Sequence, residues 1–402
     1  MSTETLTKEP ESIKRAKKKC FERFVELGLS KSQSVFADKS MSTQAPSISQ
    51  ELISSLVLPG CTYIVLVNGQ FCKELSSYDE SGRTIVSIKE AYKTYSTLFV
   101  SCMNKSVSTT KSGLELLNLA MSDDGVCILL APKYVASKPL QIIHIVDALD
   151  ACVMPRIHLF AGAFSEQTII QTKHVQNPAL YNALIQLQCE ENARVILEEA
   201  ECDRDFDYFE HIRVTLKRSS EFRSTFVHAS SGANRDIHVC LAGQNAQAET
   251  SGVWLLDNKM KISTQVNMEH QEPHCNSMQL FKGVLDGSSV STFEGKIHVH
   301  KKAQKTQSYQ LNKNLLLSEG AKAISTPNLE IFADDVKASH GATVGKLDQE
   351  QLFYLTSRGI SHPEATSFLV NGFCEEVIAK LTTKALQDKV HECLTPNTKN
   401  DE

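Results

Sequence analysis

The segment Ile331-Phe-Ala-Asp-Asp-Val-Lys-Ala-Ser-His-Gly-Ala-Thr-Val-Gly345 places two carboxylates, one imidazole and two glycines close together. By side-chain chemistry it offers one metal ligand, His340, since a neutral imidazole suits iron. Asp334 and Asp335 would point to opposite faces of a strand, so they make a poor acid/base pair and a better polar strand end. Gly341-Ala-Thr-Val-Gly-Lys346 falls short of a phosphate loop, which needs four residues between its glycines and Ser or Thr after the lysine. Here three residues intervene and Leu347 follows. Glu269, His270, Glu272, His274 and Cys275 resemble a metal cluster on paper. Histidines four apart share a face only on a helix, and Pro273 between them argues for turn and core roles instead. No Gly-x-Ser-x-Gly, His-Glu-x-x-His or Gly-x-Gly-x-x-Gly occurs in the chain.

The twelve cysteines run from Cys20 to Cys393 with no Cys-x-x-Cys pair. That spacing promises no zinc or cluster site, and reduced, mostly buried thiols are expected. At 402 residues the chain can bury a sizeable core. A net charge of −5 gives no general basic bias, so no nucleic-acid partner is expected. The longest apolar run, Leu56 to Val67, is broken by Pro59 and Gly60, so no membrane span is expected. The opening residues carry no apolar signal core, so a cytoplasmic location is expected.

The elements that position these residues follow from periodicity. Residues 11–29 read as a helix stopped by Gly28, with Ile13, Ala16, Cys20, Phe21, Phe24 and Val25 on one face. The basic run Lys14 to Lys19 reads as its solvated side. Residues 30–50 read as a loose linker. Tyr63–Val67 reads as a strand ended by an Asn68-Gly69 turn, 114–120 as a helix and Val126–Leu130 as a buried strand. From 140 to about 335, short alternating stretches are separated by turns at Gly232, Gly243, Gly252, Asp257-Asn258, Asp286-Gly287 and Gly295. That texture predicts an all-β unit, and periodicity alone leaves sandwich, barrel and solenoid open. Asp348 reads as a helix cap, and Ser361 with Glu364 as a capping box. Leu369, Phe373, Val377, Leu381 and Ala385 make one continuous apolar stripe. Residues after 395 read as a frayed tail.

Tyr309-Gln-Leu-Asn-Lys-Asn-Leu-Leu-Leu-Ser318, Pro327-Asn-Leu-Glu-Ile331 and the His340 segment together resemble the SufB/SufD family of iron–sulfur cluster assembly scaffolds, its SufD branch in particular. The resemblance implies a mainly β fold with a right-handed parallel β-helix core, flanked by N-terminal and C-terminal helical regions. On this reading residues 1–50 are an N-terminal helix and linker and 51–139 an α/β region, with the β-helix at 140–345 and a helical domain at 346–402. It further implies a non-catalytic subunit beside a SufB-like scaffold and a SufC-like ABC-type ATPase. No cofactor is then stably bound alone; iron or a nascent iron–sulfur cluster is held in the complex, with His340 as metal ligand. Leu352, Phe353, Tyr354, Arg358, Phe368 and Phe373, with the apolar stripe, are expected to meet the ATPase. Relatives often carry cysteine two residues before the histidine, where this chain has Ala338. The usual tryptophan motif after the first helix is also not evident at Ser30–Lys39. The alternatives are a purely structural subunit without a metal ligand, or a β-helix carbohydrate-active enzyme.

Overall fold

Short strands broken by tight corners stack into two parallel sheets, which the chain visits in alternation. The computed structural model describes residues 9–28, 40–41, 48–79, 81–122, 124–149, 151–177, 179–201, 208–229 and 233–394. It is 47% strand, a parallel β-solenoid of about 7 turns with helices at both ends.

The N-terminal part runs α1 (Glu11–Leu27), β1 (Ser40–Met41), α2 (Gln50–Leu56), β2 (Thr62–Val67), β3 (Gln70–Ser77), β4 (Arg83–Ser87), α3 (Ile88–Thr109), α4 (Gly113–Met121) and β5 (Val126–Leu130). Then come β6 (Leu140–Val146), β7 (Ala151–Val153), β8 (Arg156–Ala161), β9 (Glu166–Val175), β10 (Leu180–Cys189), β11 (Arg194–Glu201), β12 (Tyr208–Leu216), β13 (Glu221–His228) and β14 (Ala233–Leu241). The solenoid continues through β15 (Gln247–Leu256), β16 (Lys261–His270), β17 (Asn276–Leu285), β18 (Val290–Val299), β19 (Thr306–Leu316), β20 (Lys322–Ile331) and β21 (Val336–Lys346). Three helices close the chain: α5 (Gln349–Thr356), α6 (His362–Ile378) and α7 (Lys384–Leu394).

From β8 onward the even strands build one sheet and the odd strands the other. The first parallel rungs are already laid by β2 against β6 and β5 against β8. At this end the sheets finish on reversed strands, β3 and β4. The β2–β3 turn is Asn68-Gly69 with both φ positive, as a two-residue hairpin requires. The six tight corners from β8–β9 to β18–β19 that lead from an even to an odd strand each hold one residue in the left-handed region: Phe164, Asn192, Ser219, Asn245, His274 and Lys305, with φ between 54° and 62°.

Alternation along the strands sends Ile212, Phe222, Ile237, Trp254, Phe281 and Phe293 into the shared interior. The outer faces are covered from opposite ends of the chain. Ile13, Cys20, Tyr92, Phe99 and Leu116 of α1, α3 and α4 pack against Cys127 and Leu184 of the even-strand sheet. Val370, Cys374, Val377, Ile378, Leu381, Leu386 and Val390 pack on Ile170, Ala200, Val227, Val253, Leu280 and Leu315 of the odd-strand sheet.

This packing corrects the reading of the C-terminal stripe. The helix is not continuous, since α6 ends at Ile378 and α7 begins at Lys384. Its apolar face packs against the solenoid itself. Asp334 and Asp335 stand in the turn between β20 and β21 rather than on a strand. The linker expected at 30–50 falls mostly outside the described residues, as does the frayed tail after 395. No helix among the described residues is long and apolar enough to cross a membrane.

Candidate functional site

His340 lies in the middle of β21, not past a strand end, and β21 is the last strand of its sheet. It pairs in register with Gln310, which pairs with Gln279, which pairs with Thr250. Those three are buried in the solenoid interior, so His340 belongs to the same inward file. It is exposed because no further rung covers it. Gln310 and Gln279 have no hydrogen-bond partner for their amides, which gives the open end a polar, water-accepting floor. Asp334 and Asp335 do not bond the imidazole: Lys305 donates its N–H to the Asp335 carbonyl, and Asp335 N–H donates to Gln304. Ala338 lies two residues before His340, on the same face, and brings no thiolate.

Most of the described thiols are buried in the core. Burial pushes Cys127, Cys152, Cys189 and Cys374 up to about 12. Cys20, Cys240 and Cys275 rise to about 11 for the same reason. Only a thiolate binds iron well, so these side chains serve the core. Among the described residues ten cysteines are free and Cys393 is disulfide-bonded, against the expectation of reduced thiols throughout. Cys202 lies outside the described residues.

The residues of the Glu269–Cys275 segment diverge. Buried His270 hydrogen-bonds Ser277 at 2.9 Å, and burial drops its imidazole to about 4. Glu269 is bonded by His238 at 3.0 Å and His300 at 2.8 Å. His274 makes a corner. Gly341 to Lys346 are strand, not a loop cradling phosphate.

Among the six residues expected at the ATPase contact, Phe353, Tyr354 and Phe368 are 74%, 57% and 60% exposed. Arg358 stacks over the Tyr354 ring at 4.8 Å. Leu352 is buried, and Phe373 packs against the solenoid with Lys282 over its ring at 4.6 Å. Those two support the surface without presenting themselves on it. Asp348 caps α5 by accepting N–H bonds from Glu350 and Gln351, which fixes where the exposed aromatic pair points.

A second polar centre escaped the sequence reading. Ser112 caps α4, accepting the Glu115 N–H, and so swings the buried Glu115 carboxylate onto the even-strand sheet. Arg213 of β12 bridges Glu115 and Asp236 of β14, reaching the former at 2.6 Å. Burial pushes the Glu115 carboxyl up, but Arg213 and His211 outweigh it and hold it below the usual carboxylate range. Burial is outweighed in the same way at Asp236, which Arg213 and His211 also hold low. His211 and Asp236 line a cavity of about 800 Å³ between the N-terminal helices and the sheet. The only signal in the sequence is the alternation of charged residues in Glu210-His-Ile-Arg213 and Arg235-Asp-Ile-His238.

Comparison with known proteins agrees with this architecture. The family model described as "SUF system FeS cluster assembly, SufBD core domain" matches residues 144–373, and "SufBD protein N-terminal region" matches 59–142. An iron–sulfur cluster assembly SufBD family protein of Synechocystis is 25% identical over 83% of this chain and 77% of its own. The iron–sulfur cluster assembly protein SufD of Escherichia coli is 29% identical over 63% of this chain and 62% of its own. A chloroplastic protein of Arabidopsis thaliana, ABCI7, is 30% identical over 52% of this chain and 44% of its own. With the core domain matched across more than half of its residues, the chain belongs to the SufBD family of the SUF system for iron–sulfur cluster assembly.

Proposed function

We propose that this chain is a non-catalytic scaffold subunit of a SUF assembly complex, working in the cytoplasm beside a SufB-like scaffold and a SufC-like ATPase. Its task is to help acquire iron and build a cluster at the contact with the SufB-like chain. The observation that carries the reading is His340 on the inner face of the last strand, exposed at an open solenoid end. The outer edges of β20 and β21 have no partner strand among the described residues, and Ile324, Phe332 and Val344 around them are 52%, 60% and 50% exposed. Unpaired strand edges beside apolar surface favour a second chain. Iron, the cargo, would then meet an imidazole from this chain and the thiolates of the other.

The test is His340→Ala in the reconstituted complex. Assembly and folding should stay near normal, while cluster formation on the complex falls at least tenfold and His340→Cys restores part of it. Ala338 favours the rival reading of a purely structural subunit, because no thiolate stands beside the imidazole. Unchanged cluster formation in His340→Ala would select that rival. ATP hydrolysis belongs to the ATPase, whose docking surface on this chain is Phe353, Tyr354 and Phe368. Replacing these three by serine should abolish its binding in pull-downs without lowering the melting temperature.

A further inference from the structure

We propose that Glu115, His211 and Asp236 form a site for a divalent first-row transition-metal ion, separate from His340 and independent of the function proposed above. One ligand atom from each lies within 4.8 Å of the other two. They come from three rigid elements, α4, β12 and β14, so their separation is set by the fold and not by a loop.

The donor atoms are left open in a way that hydrogen bonding does not explain. His211 is only 4% exposed, yet its Nε2 has no partner and its Nδ1 has only the Asp236 carboxylate nearby. Its Nδ1 lies 3.5 Å from Asp236 Oδ2. Glu115 is fully buried and its Oε1 is also unpartnered. Arg213 and Thr110 both bond the other oxygen, Oε2. Buried polar atoms are almost always satisfied, so an orphan imidazole nitrogen and an orphan carboxylate oxygen in one three-residue cluster call for a ligand.

Charge agrees. With His211 neutral, the form that ligates a metal, two carboxylates against the Arg213 guanidinium leave one negative charge in a buried setting, which a divalent cation reverses and an anion would worsen. Arg213 then holds one oxygen of each carboxylate and orients the pair, the usual task of groups just behind metal ligands. One imidazole with two carboxylates suits Fe(II), Mn(II), Co(II) or Zn(II), and the nitrogen disfavours magnesium and calcium. The cavity lined by His211 and Asp236 supplies a route for the ion and space for its waters.

The experiment is titration of the purified full chain with Co(II), read by equilibrium dialysis and visible absorption. The expected result is one tight Co(II) per chain, with weak ligand-field bands and no thiolate charge-transfer band. His211→Gln and Asp236→Asn should each weaken binding at least tenfold, while His340→Ala leaves it unchanged. Should His211→Gln fail to fold, Asp236→Asn alone decides, because that side chain is partly exposed. No Co(II) bound by the wild type, unchanged affinity in either folded variant, or loss of binding in His340→Ala would overturn the proposal.

Discussion

Lys173 and Arg235 reach into the solenoid interior from opposite sheets and share the same carboxylates. Lys173 lies 2.8 Å from Glu199 and 3.6 Å from Glu210, while Arg235 bonds Glu210 at 2.8 Å and also pairs with Glu199. Tyr208 donates to Glu199 at 3.0 Å. Burial pushes the Glu199 carboxyl up, but Arg235 and Lys173 overcome it and hold the group ionised. Lys173→Met leaves two buried carboxylates short of a cation and should cost about 3–5 kcal/mol in urea unfolding. Adding Glu199→Gln should recover part of that loss; strictly additive effects would show that the groups are uncoupled. None of this network was legible in the sequence. Glu199 and Arg235 stand 36 positions apart, and only the solenoid register brings them together. His340 stood out by its residue type within one segment, whereas Glu115, His211 and Asp236 meet only across three elements.

At the scale of elements, local chemistry decided most of what could be read. The Ser361–Glu364 capping box is present, with each side chain bonded to the other's backbone N–H. Ser361→Ala should cost about 1 kcal/mol. Because α6 rests on the odd-strand sheet, the loss should show as faster amide exchange in its first turn and not throughout the solenoid. Gly28, Asn68-Gly69 and Asp348 also stand where turn and cap chemistry put them. The solenoid corners were harder to read. Phe164, Ser219 and Lys305 adopt positive φ without being residues that favour it, so stacking with neighbouring rungs imposes the conformation. The α6 stripe shows the complementary limit. Its period was plain, but a period states that a face is buried and not which partner buries it.

Across the whole molecule, burial of neutral imidazoles ties stability to pH. Desolvation lowers His144 and His228 to about 3 and His270 to about 4, from an ordinary 6.5. Below 6.5 the unfolded chain takes up protons that the folded chain refuses, so stability is full above that pH and is lost as pH falls towards 4. The expected loss is ~1–2 kcal/mol per histidine at pH 5. Thermal melts at pH 8 and pH 5 measure it, and His270→Gln should narrow the gap. A melting temperature unchanged between the two would mean that these rings are not held neutral.

The two ends of the stack are unlike, and this governs stoichiometry. One end finishes on β20 and β21, of 10 and 11 residues, both parallel to the rungs beneath. The other finishes on β3 and β4, of 8 and 5 residues, both reversed. A chain added head to tail would set β20 against a strand half its length, from which α3 departs at once. Two chains meeting tail to tail match long edge with long edge, and each then offers only its mismatched end. Growth along the solenoid axis would then stop at a pair, so the unlike ends work against filament formation in a protein built by repetition.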